Sequence, residues 1–314
     1  MKPNVLVICG PTASGKTALA VALAQRFHGE VVSADSMQVY RGMDIGTAKP
    51  TQEEMGGVPH HMIDVADPSE DYSVARYVDQ AVPIVDDILV RGKLAIIAGG
   101  TGLYIDNLIA GRQFAPFPGR DGLRLQLQAR AETEGLPALL AELAQVDPES
   151  AARLHPNDAK RIIRALEVYL ATGKTISQHN RESQAIPNRY TPLTIALSFR
   201  ERSQLWARID RRVDQMMSRG LEEEVRGLLA SGISPQCTAM QAIGYKEIAS
   251  ALLEARLVAE GAEEVKLRSR QYAKRQLTWF RRNHDAHWFF WDENPDFSSA
   301  LAFSTELILA SGLQ

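Results

Sequence analysis

The stretch Gly10-Pro11-Thr12-Ala13-Ser14-Gly15-Lys16-Thr17 decides the fold of this chain. It follows the apolar run Asn4–Cys9 and precedes an alanine- and leucine-rich segment at 18–24, an order that predicts strand, loop and helix. The glycines let successive N–H groups point inward, the helix N-terminus adds a positive field, and Lys16 adds a cation. We predict a phosphate-binding loop in which the Thr17 hydroxyl contacts a magnesium ion, with a glycine-rich turn as the alternative.

Length and composition describe an ordinary globular protein. The 314 residues are 45% hydrophobic, enough for one large domain with an insertion or for two domains. The net charge is −3, so a nucleic-acid surface would have to be a local basic patch. The apolar start is too short for a signal peptide and no later run is long enough to span a bilayer, so we expect a cytoplasmic protein without membrane contact. Cys9 and Cys237 lack C-x-x-C spacing, and neither a zinc site nor a disulfide framework is expected.

A second strand is predicted at residues 30–35, and it ends on the carboxylate of Asp35. In an open α/β sheet, ligands collect beyond the carboxyl ends of strands, so Asp35 should lie in the same crevice as the phosphate loop. Ser36, Met37 and Gln38 follow directly. The alternative is that Asp35 only caps the next helix, because Asp is a preferred cap residue.

A buried strand at residues 93–98 runs into Gly99-Gly100-Thr101. A nucleoside triphosphatase would place an acid here to hold magnesium and activate water. The glycine pair instead lets a large planar group approach the backbone, and the Thr101 hydroxyl can hydrogen-bond it. The alternative is a tight turn without a ligand.

The chain between these two motifs is predicted to contain a long functional loop at 41–50, a strand at 59–65 and a helix from Ser73 to Arg91. In an extended strand the adjacent His60 and His61 point to opposite faces, so we expect structural roles for both.

Residues 119–188 contain four successive helical patterns, at 123–134, 136–145, 149–154 and 158–172. A turn at Gly173 is predicted to end this helical run. We therefore predict an α/β core domain at 1–118 and 189–314, with a parallel sheet flanked by helices, and an all-helical insertion domain at 119–188. Lys160, Arg161 and Arg164 start the last long helix, where they could contact phosphates or simply form its solvated face.

The chain returns to the sheet with a strand at 193–199, followed by a helix at 201–217. Arg208 and Arg212 fall on one face of this helix, and two guanidiniums so placed could clamp a pyrophosphate. The alternative is that they pair with acids such as Asp210 and Asp214.

A basic helix is predicted near the end of the chain. Residues 266–284 include seven Lys or Arg and no acid, interleaved with aromatic residues, which predicts a local polyanion surface. The helix should place Tyr272 on one side and Arg270 and Lys274 on another. A glycine-broken turn at 241–246 precedes it, and a short strand at 287–291 and a helix at 299–310 follow.

Together these motifs resemble the tRNA dimethylallyltransferases of bacteria, and the resemblance covers nearly the whole chain. It is carried by the segments 10–17, 33–40, 42–50, 99–104, 155–158, Arg161, 164–167 and 270–276. The resemblance implies a P-loop NTPase-like fold and transfer of a dimethylallyl group from dimethylallyl diphosphate to the N6 amine of the adenosine at tRNA position 37, with Mg²⁺ and release of diphosphate. A diphosphate leaving group needs neutralisation but no activated water, which accounts for the glycines where a triphosphatase has an acid.

The resemblance assigns roles to individual residues. The catalytic group is Asp35 as general base, Thr101 as orienting hydroxyl and Arg212 on the diphosphate. The eight loop residues Gly10 to Thr17 are expected to bind the diphosphate, and Arg208 is the second candidate arginine for the same contact. Thr17 is the expected Mg²⁺ ligand. The residues expected to contact tRNA are Asp35, Ser36, Met37, Gln38, Thr101, Lys160, Arg161, Arg164, Gln241, Gly244, Tyr245, Lys246, Arg270, Gln271, Lys274, Arg275 and Gln276.

The expected partners are the tRNA anticodon stem-loop and dimethylallyl diphosphate, and the expected state is a monomer. Two other functions compete. A nucleotide or nucleoside kinase also combines a phosphate loop with a helical lid, but it needs a base or a metal-binding acid near the γ-phosphate. A non-catalytic RNA-binding module could use the loop to sense a nucleotide.

Overall fold

The computed structural model describes residues 2–112, 114, 121–292 and 295–313. Contacts within the chain divide it into two compact units, Met1–Gly111 with Arg189–Gln314, and Arg112–Asn188. The first unit is an α/β body, and the described part of the second is helical. Within the described ranges, every helix is too short or too polar to cross a membrane.

The body is built on a six-stranded parallel sheet in the order β3-β2-β4-β1-β5-β6. Its strands are β1 (Asn4–Cys9), β2 (Glu30–Ser33), β3 (His60–His61), β4 (Ala95–Gly99), β5 (Thr191–Phe199) and β6 (His287–Trp291). The central strands are buried on both faces, which explains why they read as continuous apolar runs in the sequence. The predicted α/β class with a parallel sheet is confirmed.

The strand register places the ends of the three central strands side by side. Cys9 of β1 pairs with Gly99 of β4, and Ser33 of β2 pairs with Ala98 of β4. Because the strands are parallel, the segments that follow them leave the sheet at the same edge. The sheet therefore gathers the phosphate loop, the Asp35 segment and the glycine-threonine segment in one place.

The helices of the body begin with α1, which starts directly at the phosphate loop, with Gly15 in a left-handed conformation before it. The predicted helix after Ser73 is confirmed, and the Ser73 side chain accepts the N–H of Arg76. The bounds are α1 (Lys16–Arg26), α2 (Gln52–Met55), α3 (Val74–Val90), α4 (Gly102–Ala110), α10 (Arg202–Ser218), α11 (Leu221–Ala230), a 3-10 helix (Ala239–Gln241), α12 (Tyr245–Leu253), α13 (Val258–Phe280) and α14 (Phe297–Ser311).

The second unit contains five of the numbered helices, α5 (Asp121–Thr133), α6 (Leu136–Val146), α7 (Pro148–Arg153), α8 (Ala159–Thr172) and α9 (Ile176–Ala185). Its core includes Leu127, Leu139, Leu143, Ile162 and Leu166. The buried Asp147 accepts the N–H groups of Ser150 and Ser177, both at 3.1 Å, so one carboxylate fixes the starts of α7 and α9.

Some secondary-structure predictions are wrong. The strand expected at 59–65 is reduced to β3, because Met62 and Asp64 take left-handed conformations with φ of 63° and 57° that end the extended run. The turn at Gly173 does not close the helical run, since α9 follows with a capping box between Thr175 and Gln178. The helix α11 is not predicted at all.

Glu30, at the start of β2, is the centre of an ion cluster and is only 3% exposed. Its carboxylate accepts hydrogen bonds from Arg91, from Lys93 Nζ at 2.6 Å and from His61 Nε2 at 2.8 Å. The bonds from Arg91, opposed by burial, hold the pKa of Glu30 well below its usual range. His61 therefore has the structural role expected for it, and His60 similarly contacts the Val58 carbonyl oxygen at 2.9 Å.

We expect Glu30→Gln to lower the free energy of unfolding at neutral pH by about 2 kcal/mol, because the partly exposed Arg91 and Lys93 lose their shared counter-charge. A carboxylate whose pKa is lowered by folding stabilises the protein above its unfolded-state pKa, and this contribution is lost as pH falls. The difference between the wild type and the variant, measured by urea unfolding, should therefore be constant above about pH 6 and shrink progressively as the pH falls below about 5. The exposed Glu53→Gln is the control, and a pH-independent difference at Glu30 would contradict the account.

Candidate active site

The backbone of the phosphate loop is of the kind that the sequence predicts. Gly10 and Gly15 have φ of 142° and 86°, which favour glycine, and Ala13 also takes a left-handed conformation. A Cβ on Gly10 would overlap the carbonyl oxygen of Leu197 in β5. Glycine at this position therefore lets the loop pack directly against the sheet.

Two side chains hold the loop from different directions. Lys16 lies over the loop, and its Nζ donates to the carbonyl oxygen of Pro11 at 2.7 Å. On the other side, Trp291 of β6 donates from Nε1 to the carbonyl oxygen of Ser14 at 2.9 Å. The sequence contains no local signal for the second contact, because the two residues are far apart in the chain.

A cavity of about 670 Å³ opens beside the loop, at the carboxyl edge of the sheet. It brings together most of the residues predicted to be catalytic or to bind diphosphate, but Gly10, Pro11 and Thr101 are not part of its lining. Its lining includes Thr12, Ala13, Ser14, Gly15, Lys16, Thr17, Asp35, Gln38, Gly99, Gly100, Arg208 and Arg212. The lining also includes Gln276, which was predicted to contact tRNA, and six residues that were not predicted to belong to the site: Ile45, Glu54, Arg211, Met216, Arg219 and Tyr272.

The floor of the cavity is strongly cationic. Burial, and then repulsion from Arg212, lower the pKa of Lys16 to about 8. Burial also lowers the pKa of Arg212 from its ordinary value, although the nearby Asp35 opposes this shift. Among the described residues, no hydrogen bond or ion pair holds the Arg212 guanidinium, whereas Arg208 donates from Nε to the Ala13 carbonyl oxygen at 3.2 Å. Two close, incompletely neutralised cations favour an anionic ligand.

The acids of α10 do not neutralise these arginines, so the alternative pairing is wrong. Asp210 accepts a hydrogen bond from Arg270 of α13 at 2.6 Å, and Asp214 forms an ion pair with Lys266 at 2.7 Å. The helix thus turns its acids toward α13 and its arginines Arg208 and Arg212 toward the cavity.

Asp35 lies at the cavity wall and also organises the turn that follows β2. Its Oδ1 accepts the N–H of Met37 at 2.9 Å and of Gln38 at 3.4 Å. The capping alternative is therefore partly right, but the capped element is a turn, since no helix begins until α2. The N–H of Ser36 donates to Thr101 Oγ1 at 3.1 Å, which joins this turn to the segment after β4.

The glycine pair Gly99 and Gly100, at the end of β4, packs closely against other parts of the chain. A Cβ on Gly99 would overlap the backbone of Ala34, and a Cβ on Gly100 would overlap the side-chain amide of Gln276. These glycines therefore permit close packing of the chain where a Cβ would stand. Both also line the cavity, so the approach of a planar ligand to their backbone stays a prediction. Thr101 remains beside the Asp35 turn, as described above.

The loop at residues 44–50 forms another wall of the cavity, and the sequence did not reveal what holds it. The Glu224 carboxylate of α11 accepts the backbone N–H groups of Asp44, Ile45 and Gly46 at 2.9 to 3.2 Å. The Tyr245 hydroxyl donates to Glu224 and accepts the Gly46 N–H at 3.1 Å. These contacts depend on residues about 180 positions apart, so no local pattern could have indicated them.

Tyr272 of α13 reaches the cavity from the opposite side. Burial, and then the nearby Asp35 carboxylate, raise the pKa of Tyr272 to about 12, so its hydroxyl stays protonated at neutral pH. The nearby Thr101 side chain opposes this shift in pKa. Tyr272 therefore belongs to the same group as Asp35 and Thr101.

The predicted basic helix is present as α13, but its residues lie in different environments. Gln271, Lys274 and Arg275 are exposed, whereas Arg270 is held by Asp210 and Gln276 is buried. The exposed side is a shallow groove of about 470 Å³ lined by Gln271, Lys274, Arg275, Thr278, Trp279 and Arg282. In it, the Arg282 guanidinium stacks 3.9 Å from the Trp279 ring centroid.

The other residues expected to contact tRNA also include both exposed and buried ones. Gln241 and Lys246 are exposed, whereas Gly244 and Tyr245 are buried, and Tyr245 holds the loop at 44–50. On α8 of the second unit, Lys160, Arg161 and Arg164 are all exposed. Arg161 pairs with Asp158 at 2.8 Å, and Arg164 pairs with Glu167 at 2.9 Å.

A metal site built from protein side chains alone is not present in the described part of the chain, where no three His, Cys, Asp or Glu residues are grouped to hold an ion. Thr17 opens α1 at the cavity and is exposed. This arrangement suits a magnesium ion that keeps its waters and takes most of its other ligands from a phosphate group.

Comparison with known proteins agrees with this geometry. A family model described as IPP transferase matches residues 38–283, and one described as isopentenyl transferase matches residues 3–69. The chain belongs to the tRNA dimethylallyltransferase family. It is 50% identical to the tRNA dimethylallyltransferase of Caldanaerobacter subterraneus subsp. tengcongensis, over 93% of both chains, and 49% identical to that of Geobacter sulfurreducens, over 96% of both.

Solved structures of this family have the same fold. The tRNA isopentenylpyrophosphate transferase of Bacillus halodurans aligns with a TM-score of 0.73 at 42% identity, covering 99% of this chain and 96% of that one. A eukaryotic dimethylallyltransferase acting on tRNA aligns with a TM-score of 0.81 at 32% identity, covering 98% and 80%. The chain is thus a prenyltransferase of tRNA with a P-loop NTPase-like fold, and the kinase alternative is not favoured.

Proposed function

We propose that this enzyme transfers a dimethylallyl group from dimethylallyl diphosphate to N6 of the adenosine at tRNA position 37 and releases diphosphate. One observation carries the proposal: the cations Lys16 and Arg212 line the same cavity as the carboxylate Asp35. The first two suit a diphosphate leaving group, and the third suits a proton acceptor beside it.

The diphosphate binds at the phosphate loop. Lys16, Arg212 and inward-facing N–H groups of the loop hold its oxygens and stabilise the negative charge that grows as the allylic C–O bond breaks. The Thr12 N–H is not among these donors, because it is bonded to the side chain of Gln276. Arg208 supports the loop through the Ala13 carbonyl oxygen.

Magnesium is the metal we propose, with Thr17 as its protein ligand. The exposed position of Thr17 at the cavity and the scarcity of grouped carboxylates fit an ion held largely by the diphosphate and by water. When bound, the ion neutralises part of the diphosphate charge.

Asp35 accepts the proton of the adenine amine. The lone pair of this amine is delocalised into the ring, so removal of a proton as the new bond forms increases its reactivity. The C–O bond breaks with its electron pair leaving on diphosphate, the C–N bond forms, and the N6 proton moves to Asp35. Thr101 and Tyr272, both beside Asp35, orient the amine and the carboxylate.

The tRNA contributes a base that must leave the anticodon-loop stack to reach the cavity. We propose that Lys274, Arg275 and Gln271 on α13 contact the RNA backbone, together with Gln241 and Lys246. We propose that the exposed Lys160, Arg161 and Arg164 of the insertion also contact RNA phosphates. The enzyme acts on cytoplasmic tRNA as a monomer.

Replacing Lys274 and Arg275 together by Ala should weaken binding of the anticodon stem-loop and reduce the slope of log K against log salt by about 2, because two phosphate contacts are lost. Binding of dimethylallyl diphosphate should not change. The control is Arg26→Ala with Arg202→Ala, two exposed arginines on α1 and α10. Filter binding over a salt series measures the effect, and an unchanged slope would place the RNA surface elsewhere.

Incubation with radiolabelled dimethylallyl diphosphate and unmodified tRNA tests the reaction itself. We expect label in tRNA at position 37 only. Transfer of phosphate from ATP without prenyl transfer would support a kinase, and RNA binding without either reaction would support a binding module. Both outcomes would overturn the proposal.

A further inference from the structure

Gln276 joins the phosphate loop to the segment after β4, which lies next to it at the carboxyl edge of the sheet. Its side chain is only 5% exposed. The amide oxygen accepts the Thr12 N–H of the phosphate loop at 2.9 Å, and the amide nitrogen donates to the Gly100 carbonyl oxygen at 2.9 Å. Only one orientation of the amide satisfies both partners, because Thr12 offers a donor and Gly100 an acceptor.

The segment after β4 is shaped to receive α13. A Cβ on Gly100 would overlap the Gln276 amide, and a Cβ on Gly102 would overlap the ring of Trp279. Trp279 also donates from Nε1 to Asp106 of α4 at 3.0 Å. Three consecutive turns of α13 thus meet this segment or the cavity through Tyr272, Gln276 and Trp279, so a movement of the helix would move both loops.

The residues immediately before Gln276 lie on the opposite, solvent-facing side of the same helix. Lys274 and Arg275 are exposed there, and the Arg275 guanidinium lies 5.5 Å from the Tyr272 ring centroid. A polyanion that binds this side restrains the helix that carries Gln276. Once the polyanion has ordered α13, less conformational entropy is lost when a diphosphate orders the phosphate loop. Binding of the polyanion and binding of the diphosphate therefore strengthen each other.

We propose that Gln276 is a positioning residue that couples RNA binding on the exposed side of α13 to diphosphate binding at the phosphate loop. The proposal rests on the function proposed above, because it takes the RNA as the polyanion. Gln276 also lines the cavity, but its amide oxygen and amide nitrogen are bonded to the two loops. It sets the distance between the loop that holds the leaving group and the segment that carries Thr101.

The test measures the affinity for inorganic pyrophosphate with Mg²⁺, with and without an anticodon stem-loop RNA, by isothermal titration calorimetry. In the wild type, saturating RNA should strengthen pyrophosphate binding about tenfold, a typical size for coupling between sites. Gln276→Met introduces a side chain of similar volume that can form neither hydrogen bond. In this variant the ratio of the pyrophosphate affinities with and without RNA should fall to within about twofold of unity. The rate of prenyl transfer at saturating substrates should fall about tenfold, with the KM for RNA little changed.

Gln276→Glu is the second variant, because it keeps an acceptor for the Thr12 N–H but opposes a carboxylate oxygen to the Gly100 carbonyl. It should lose the coupling as well. The matched control is Gln25→Met on α1, whose exposed amide donates to the Gly56 carbonyl oxygen at 2.9 Å, away from the cavity. It should keep the wild-type ratio and rate.

The proposal would be overturned if RNA did not change the pyrophosphate affinity of the wild type. It would also be overturned if RNA strengthened pyrophosphate binding in both variants as much as in the wild type. Thermal melts showing that neither variant folds would overturn it too, because Gln276 would then be a support of the core. The pyrophosphate measurement needs no turnover, so it decides the inference even if prenyl transfer is not observed. Absence of labelled tRNA in the wild type would instead overturn the proposed reaction.

Discussion

Asp35→Asn should slow prenyl transfer by about two to four orders of magnitude, the usual contribution of a general base. The expected loss is in kcat, because the variant keeps the diphosphate site and the exposed face of α13. The amide oxygen of Asn can still accept the N–H groups of Met37 and Gln38, so the turn after β2 should remain. Single-turnover rates with saturating substrates measure the chemical step directly.

Asp67→Asn provides the matched control. Asp67 also accepts a backbone N–H two residues ahead, from Ser69 at 3.0 Å, but it is not part of the cavity lining. It should retain the wild-type rate. If Asp35→Asn also reacts at the wild-type rate and melts at the same temperature, Asp35 is only a turn-forming residue.

Arg212→Gln should lower kcat/KM by about two to three orders of magnitude, the cost of removing one donor that stabilises charge in the transition state. The guanidinium is half-buried at the cavity and has no ion-pair partner among the described residues, so its charge is available to the diphosphate. Pyrophosphate affinity should fall as well, because Arg212 contacts the anion in the ground state. Arg212→Lys should recover only part of the activity, since a single ammonium group cannot replace the planar fork of donors.

Arg202→Gln on the same helix is the control for Arg212. Arg202 is exposed and lies over the Trp206 ring, 5.8 Å from its centroid, outside the cavity lining. It should leave kcat/KM within a factor of about two. Equal losses in the two variants would indicate a general effect of charge on α10 rather than a contact of Arg212 with the diphosphate.

The parts of the site that the sequence predicts are those set by local patterns. The phosphate loop lies between an apolar strand and a helix, and Asp35 follows the end of β2. Parallel strand topology then brings them to one edge without further information. The helical spacing of Arg208 and Arg212 similarly places both on the side of α10 that lines the cavity.

The parts that the sequence does not predict depend on contacts between distant residues. Glu224 and Tyr245 hold the loop at 44–50, and neither lies in a pattern that points to that loop. The glycine pair at Gly99 and Gly100 is typical of a ligand site, and both residues line the cavity, but the sequence does not show that Ala34 and Gln276 also pack against them. A glycine in a sequence shows that something comes close, but not whether it is a ligand or another part of the chain.

The contact between Trp291 and the phosphate loop has a consequence for the order of synthesis. The ribosome makes Ser14 of the loop 277 residues before Trp291 of β6, whose indole supports it. Since β6 pairs only with β5 at the sheet edge, it is added after the strands made before it. A nascent chain that has already made its phosphate loop therefore cannot complete the loop's support until β6 has left the ribosome.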